Sequence, residues 1–267
     1  MTPGHPHTHD PDDELDRGLG YDLPRLMGRR RLLGLLAGAG LLTATACAGG
    51  PGGPSGVAVA QGSEGEIPQE TAGPYPGEGS NGPNVLTESG VVRSDIRSSF
   101  GTLSGTAEGI PLTLSLTVTD LAGAPMPGAA VYVWHCDRAG DYSLYTREDQ
   151  NYLRGVQVAG QDGAVAFTSI FPGCYSGRWP HVHFEVFSSL DEATSGANAI
   201  TTSQLAFPQE ACAAVYATAG YEQSVENLSR ITLASDTVFS DGVEEQMAAM
   251  TGSVGSGYTA ALTVPVA

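Results

Sequence analysis

The sequence predicts an all-β fold, an antiparallel sandwich or barrel with at most one or two short helices. Three observations carry that expectation. Leu112, Leu114, Leu116 and Val118 alternate with Thr and Ser, the period-two pattern of a half-buried strand. Ala129–Cys136 and His181–Phe187 are further runs rich in β-branched and aromatic residues. Turn clusters punctuate these runs, with Asp, Gly and two prolines across Asp120–Gly128 and a break at Pro172-Gly173. Short strands between Gly/Pro turns indicate packed antiparallel sheets.

The remaining elements follow in order. Gly163–Ile170 alternates again through Val165 and Phe167. The Ala-rich stretch Pro208–Ala217 predicts a short helix, and two last strands fall near Glu244–Met250 and Tyr258–Val264. No internal repeat is visible.

The chain has 267 residues, 41% of them hydrophobic, enough to fill a packed core. It contains no lysine; 12 arginines face 29 acids, a net charge of −17. Such a surface repels phosphate backbones, which excludes nucleic acid as a partner class.

The N-terminus reads as a targeting segment. Arg29-Arg30-Arg31 precedes the mildly apolar, glycine-broken run Leu32–Ala46, which resembles a twin-arginine export signal. That run is shorter than the ~20 apolar residues needed to span a bilayer. Ala44-Thr45-Ala46-Cys47 resembles a lipoprotein cleavage box, which would place a lipid on Cys47 and tether the protein to the outer face of the cytoplasmic membrane. Residues 1–47 are therefore expected to be signal, 48–68 a flexible Gly/Pro/Ser linker, and 69–267 the catalytic domain. His5, His7 and His9 would be removed with the signal, leaving His135, His181 and His183.

His181 and His183 are two apart in a strand, so both imidazoles can face one metal ion. Imidazole suits Fe, Cu and Zn alike, and the pair alone does not choose among them. Tyr142 lies in Trp134-His135-Cys136-Asp137-Arg138-Ala139-Gly140-Asp141-Tyr142. Tyr175 lies in Pro172-Gly173-Cys174-Tyr175-Ser176-Gly177-Arg178, six residues before His181.

Together with Arg178-Trp179-Pro180-His181-Val182-His183, these segments resemble the intradiol ring-cleavage dioxygenases. The resemblance runs from about Gln69 to the C-terminus and includes Glu70-Thr71-Ala72-Gly73-Pro74-Tyr75. It implies a β-sandwich and a non-haem Fe(III) held by Tyr142, Tyr175, His181 and His183 plus a solvent ligand. It implies a catechol-type substrate and O2, with both oxygen atoms inserted and no organic cofactor. By the same resemblance Tyr175 is the ligand that substrate displaces and the acceptor of a substrate proton. Arg178 stabilises the ketonised substrate, and Gln204 orients it. Tyr75 and Pro74 line the pocket, from this subunit or from another in a homo-oligomer. The chain departs from the family in a short Tyr175–His181 segment and in lacking the helical dimerisation region of catechol 1,2-dioxygenases.

Four cysteines in an exported chain suggest a disulfide. With Cys47 lipidated, a Cys174–Cys212 bridge is expected to tie the Tyr175 loop to the helical region, leaving Cys136 as a buried thiol. Two other readings stay open. A non-catalytic transthyretin-like or carboxypeptidase-regulatory-like sandwich accounts for the strands and Pro-Gly-x-Tyr, but does not require Tyr142, Arg178 and His-x-His together. A Zn or Cu enzyme with three histidines would have to recruit His135, which reads instead as a strand-surface or core-edge residue.

Overall fold

The computed structural model describes residues 65–267. The signal segment, Cys47 and most of the linker lie outside them.

Among the described residues, eight strands form two sheets: β1 (Pro111–Asp120), β2 (Ala130–Trp134), β3 (Arg154–Val158), β4 (Ala164–Ile170), β5 (His181–Phe187), β6 (Thr201–Ala206), β7 (Ala249–Ser253) and β8 (Gly257–Val266). One sheet has the order β4-β1-β8-β7, the other β3-β2-β5-β6. Every ladder is antiparallel except β1 with β8, which run parallel. The all-β sandwich holds, with that one ladder as its departure. Two short helices, α1 (Gln209–Tyr216) and α2 (Glu222–Ser229), follow β6.

Leu112, Leu114, Leu116 and Val118 of β1 point inward, as their alternation requires. They share the main core with Val131, Val133, Val182, Phe184 and Val186 of the other sheet. Each such fully buried apolar side chain stabilises the fold by ~1.5–3 kcal/mol.

β2 and β5 do not alternate in exposure, because both of their faces are buried. Their second face carries Ala130, Tyr132, Trp134 and Phe187. It is covered by the arm that precedes β1, through Val85, Leu86 and Val91. The two histidines lie on this covered outer face, not between the sheets.

The folded unit begins earlier than Gln69. Ile67 is buried and its N–H donates to Pro265 O at 2.9 Å, while Ser203 Oγ donates to Pro68 O. The expected Cys174–Cys212 bridge is corrected. Cys136, Cys174 and Cys212 are all free and buried, with Cys174 Sγ directed at Arg178 O and Cys212 Sγ at Phe207 O.

Candidate metal centre

β5 carries two of the candidate donors, His181 and His183. It is hydrogen-bonded to β2 on one side and β6 on the other, with His183 opposite both Trp134 and Gln204. The Trp134 indole stacks on the His183 ring at 4.9 Å between centroids and 4° between planes. His181 Nδ1 lies 2.5 Å from Trp179 O. A carbonyl can only accept, so Nδ1 carries the proton and the Nε2 lone pair is free. That lone pair faces His183 Nε2 at 3.0 Å and Tyr175 Oη at 3.3 Å.

The tyrosines arrive on loops. Tyr142 sits in the β2–β3 connection, its N–H bonded to Thr146 Oγ1. Its ring is edge-on to those of Tyr175 (5.7 Å) and His183 (6.3 Å). Tyr175 sits in the β4–β5 connection, which packs directly on the Tyr142 loop. Gly173 makes that approach feasible: its N–H donates to Asp137 O, and a Cβ there would lie 2.7 Å from Arg138 O. From the other side, Cys174 N–H donates to Ser224 Oγ and Asn227 Nδ2 donates to Cys174 O. The two buried side chains of α2 are these polar ones, so the helix acts as a brace for the Tyr175 loop.

The electrostatics suit a cation. Burial, reinforced by the Arg178 charge, lowers His181 to about 3, and burial with the charge of His181 takes His183 well below its usual value. Both imidazoles are thus neutral, the form that ligates metals. Burial raises both tyrosines above the ordinary phenol value, opposed in each by Arg178. Without a cation they stay phenols; a strongly Lewis-acidic ion would be needed to hold them as phenolates. The Tyr142 hydroxyl is buried beside that of Tyr175, and the two phenol groups have the imidazole Nε2 atoms as neighbours. Among the described residues no group of three or more His, Cys, Asp or Glu gathers, so any ion here takes a mixed imidazole–phenol set. Two phenol oxygens and two facing imidazole nitrogens are a donor set that fits such an ion.

Arg178 closes the site. Its Nε donates to Asp236 Oδ2 at 2.9 Å and its Nη2 to Gln204 Oε1 at 2.7 Å. Asp236 is fully buried and also accepts from the N–H groups of Trp179, Val238 and Phe239. Burial opposes its ionisation, yet Arg178 and these donors hold its carboxyl below the usual range. Gln204 is fully buried, and its Nε2 donates to Thr71 O. It therefore stands behind Arg178 and ties it to the N-terminal arm. Tyr75, from this same chain, lies with its ring 4.9 Å from that of Tyr142.

His135 is not brought to the site, nor is it at a surface. It is buried between the sheets, with Nδ1 on Cys136 O and Nε2 on Ser169 Oγ of β4, both at 2.7 Å. Sequence reasoning did not find Asp236 or Arg154. Asp236 lies 58 residues beyond Arg178, and its only local sign is the Asp-initiated turn it caps.

The comparisons with known proteins converge on one family. The family model described as "Dioxygenase" matches residues 82–218, just over half of the chain. A hydroxyquinol 1,2-dioxygenase of Nocardioides simplex is 34% identical over 106 residues, covering 33% of this chain and 36% of that protein. A catechol 1,2-dioxygenase of Acinetobacter lwoffii is 31% identical over 156 residues, 50% of this chain and 45% of that one. The matched stretches thus span less than half of these relatives. In fold, an intradiol ring-cleavage dioxygenase from Tetranychus urticae superposes with a TM-score of 0.59 at 24% identity, over 75% of this chain and 94% of that one. The matched family model covers just over half of the chain and the fold agrees with it. This chain belongs to the intradiol dioxygenase family.

Proposed function

We propose that the protein is a non-haem Fe(III)-dependent intradiol dioxygenase. It would insert both atoms of O2 into a catechol-type ring and cleave between the two hydroxylated carbons to a muconate-type diacid. One observation carries this reading: Tyr142, Tyr175, His181 and His183 converge beside the largely buried Arg178, with the two imidazole Nε2 atoms facing each other and Tyr175 Oη beside them.

Ferric iron held by these four side chains would supply Lewis acidity, keeping bound phenols and catechol hydroxyls ionised at neutral pH. The chain's own residues do the rest. Tyr175 sits beside the His181 nitrogen and, as a phenolate, can accept a catechol proton at Oη. Arg178 has Nε and Nη2 fixed by Asp236 and Gln204, so Nη1 is aimed and available for negative charge developing on a substrate oxygen. Tyr142, hemmed in by the rings of Tyr75, Tyr175 and His183, stays in place. Tyr75 and Trp134 give the site apolar walls.

The test is direct. Purified protein loaded with ferric iron should be red-brown from tyrosinate charge transfer and show high-spin ferric EPR. Tyr142→Phe should shift or bleach that colour. The protein should consume O2 on at least one of catechol, hydroxyquinol, protocatechuate or an alkylcatechol. Protein that stays colourless after iron reconstitution defeats the proposal. We also read residues 1–47 as an export signal, with Cys47 as its lipid acceptor; mass spectrometry of protein secreted by a native host decides both.

A further inference from the structure

We infer that Arg154 is a positioning residue that latches the N-terminal arm onto the Tyr142 loop and so sets the Tyr75 wall of the site. Arg154 opens β3 and is only 1% exposed. Nε donates to Ser143 Oγ (3.0 Å). Nη1 donates to Pro76 O (2.7 Å) and Tyr132 Oη (3.0 Å), and Nη2 to Tyr75 O (2.8 Å) and Ser143 O (2.9 Å). All five N–H donors of the guanidinium are therefore used.

None of these partners is a carboxylate. A buried arginine is ordinarily paired with an anion, because losing its hydration costs several kcal/mol. Here five neutral oxygens offset that cost, which works only if every one is in place. Two are carbonyls of the arm, and two belong to Ser143, the residue after Tyr142. The planar fork thus joins two segments that share no ladder; a lysine, with one nitrogen, could not span them.

The surroundings are shaped to the same end. Tyr132 Oη donates to Pro76 O at 2.8 Å. Gly77 has φ +67°, and a Cβ there would lie 2.6 Å from Arg154 Nη1. The Gly77 N–H donates to Tyr145 Oη at 2.9 Å, and the Tyr145 ring lies 5.2 Å from that of Tyr75. Tyr75 is thereby held against Tyr142 on one side and Tyr145 on the other. The inference that the arm is latched stands on these contacts alone. That the latch sets substrate affinity rests on the function proposed above.

The experiment is hydrogen exchange on Arg154→Met and Arg154→Lys in the full chain, followed by steady-state kinetics on the iron-loaded protein. In Arg154→Met, amides in 70–80 should exchange about tenfold faster or more, while β1 and β5 keep their protection. KM for whichever of the four diols the wild type turns over should rise about tenfold with kcat changed less than about threefold. Arg154→Lys should fall between the two. Should Arg154→Met fail to fold, Gly77→Ala presses on the guanidinium from the arm side, and Tyr132→Phe removes a single acceptor. Both should loosen the same amides, less severely. Unchanged exchange at 70–80 in a folded variant overturns the latch, as does a uniform rise that includes β1 and β5. Faster exchange with unchanged KM overturns the wall-setting role. If the wild type neither binds iron nor turns over, the proposed function falls, and the exchange data still decide the latch.

Discussion

Two of the four proposed metal donors ride a strand and two ride loops, and they are held by different means. His181 and His183 sit on β5, whose backbone is locked on both sides by β2 and β6. Their positions are set by ladder bonds that the whole sheet shares. Tyr142 and Tyr175 have no such ladder. Their loops are held by side-chain bonds from outside them: Arg154 on Ser143 Oγ and O, and Ser224 and Asn227 on Cys174. The strand side is rigid because the sheet is cooperative. The loop side is adjustable, because each hold-point can be removed without unpairing a strand.

The largest expected effect comes from removing a strand donor. His183→Ala deletes a neutral imidazole that no neighbour can replace. Loss of an outer partner of a metal ligand typically costs 10–100-fold in affinity or activity, so loss of the ligand itself should exceed about a hundredfold. Iron content after reconstitution and O2 uptake measure it; retained ferric colour and turnover would remove His183 from the donor set.

A smaller effect is expected on the loop side. The double variant Ser224→Ala/Asn227→Ala removes both bonds from α2 to the Tyr175 loop. Each net bond contributes about 1 kcal/mol, so stability should fall by ~2–3 kcal/mol without loss of the sheets. The iron-loaded variant should still be coloured but with altered charge transfer, because Tyr175 has lost its brace while Tyr142 has not. Urea unfolding and the visible spectrum read the two parts separately. An unchanged spectrum in a destabilised variant would mean that α2 supports the fold and not the ligand.

The same division marks how far the sequence could be read. Alternation gave β1 and β4, and the His-x-His spacing placed two donors on one face of β5, because period two is a local property. β3 went unseen: Arg154-Gly155-Val156-Gln157-Val158 opens with a charge and a glycine, and only the structure shows that charge to be buried. α2 went unseen because its buried residues are Ser224 and Asn227, so no apolar stripe announces it. The parallel β1–β8 pairing joins chain segments too far apart for any local signal. The thiols were misjudged for a related reason: counting cysteines says how many can pair, whereas pairing depends on side-chain direction. Asp236 escaped because the arginine it holds lies 58 residues away, and Arg154 because the arm carbonyls it holds lie 78 and 79 residues away.

The smallest effect is a pH dependence that separates the sheet from the arm by sign. His135 stitches the two sheets, and burial lowers it to about 4. Between that value and the unfolded value of 6.5 the unfolded chain binds the extra proton, so this histidine makes stability rise with pH. Glu70, on the arm, is raised to about 7, by burial first and the Asp241 charge second. Between 4.5 and about 7 the folded chain holds the extra proton, so this glutamate makes stability fall with pH. The wild type shows the two in partial cancellation. Glu70→Gln should therefore steepen the rise in urea midpoint from pH 4.5 to 6.5, and His135→Gln should flatten or reverse it, each judged as a difference from wild type. Parallel profiles for all three proteins would mean that neither group changes its protonation on folding. Opposite changes would show that the arm carries its own proton balance, set apart from that of the sheets it covers.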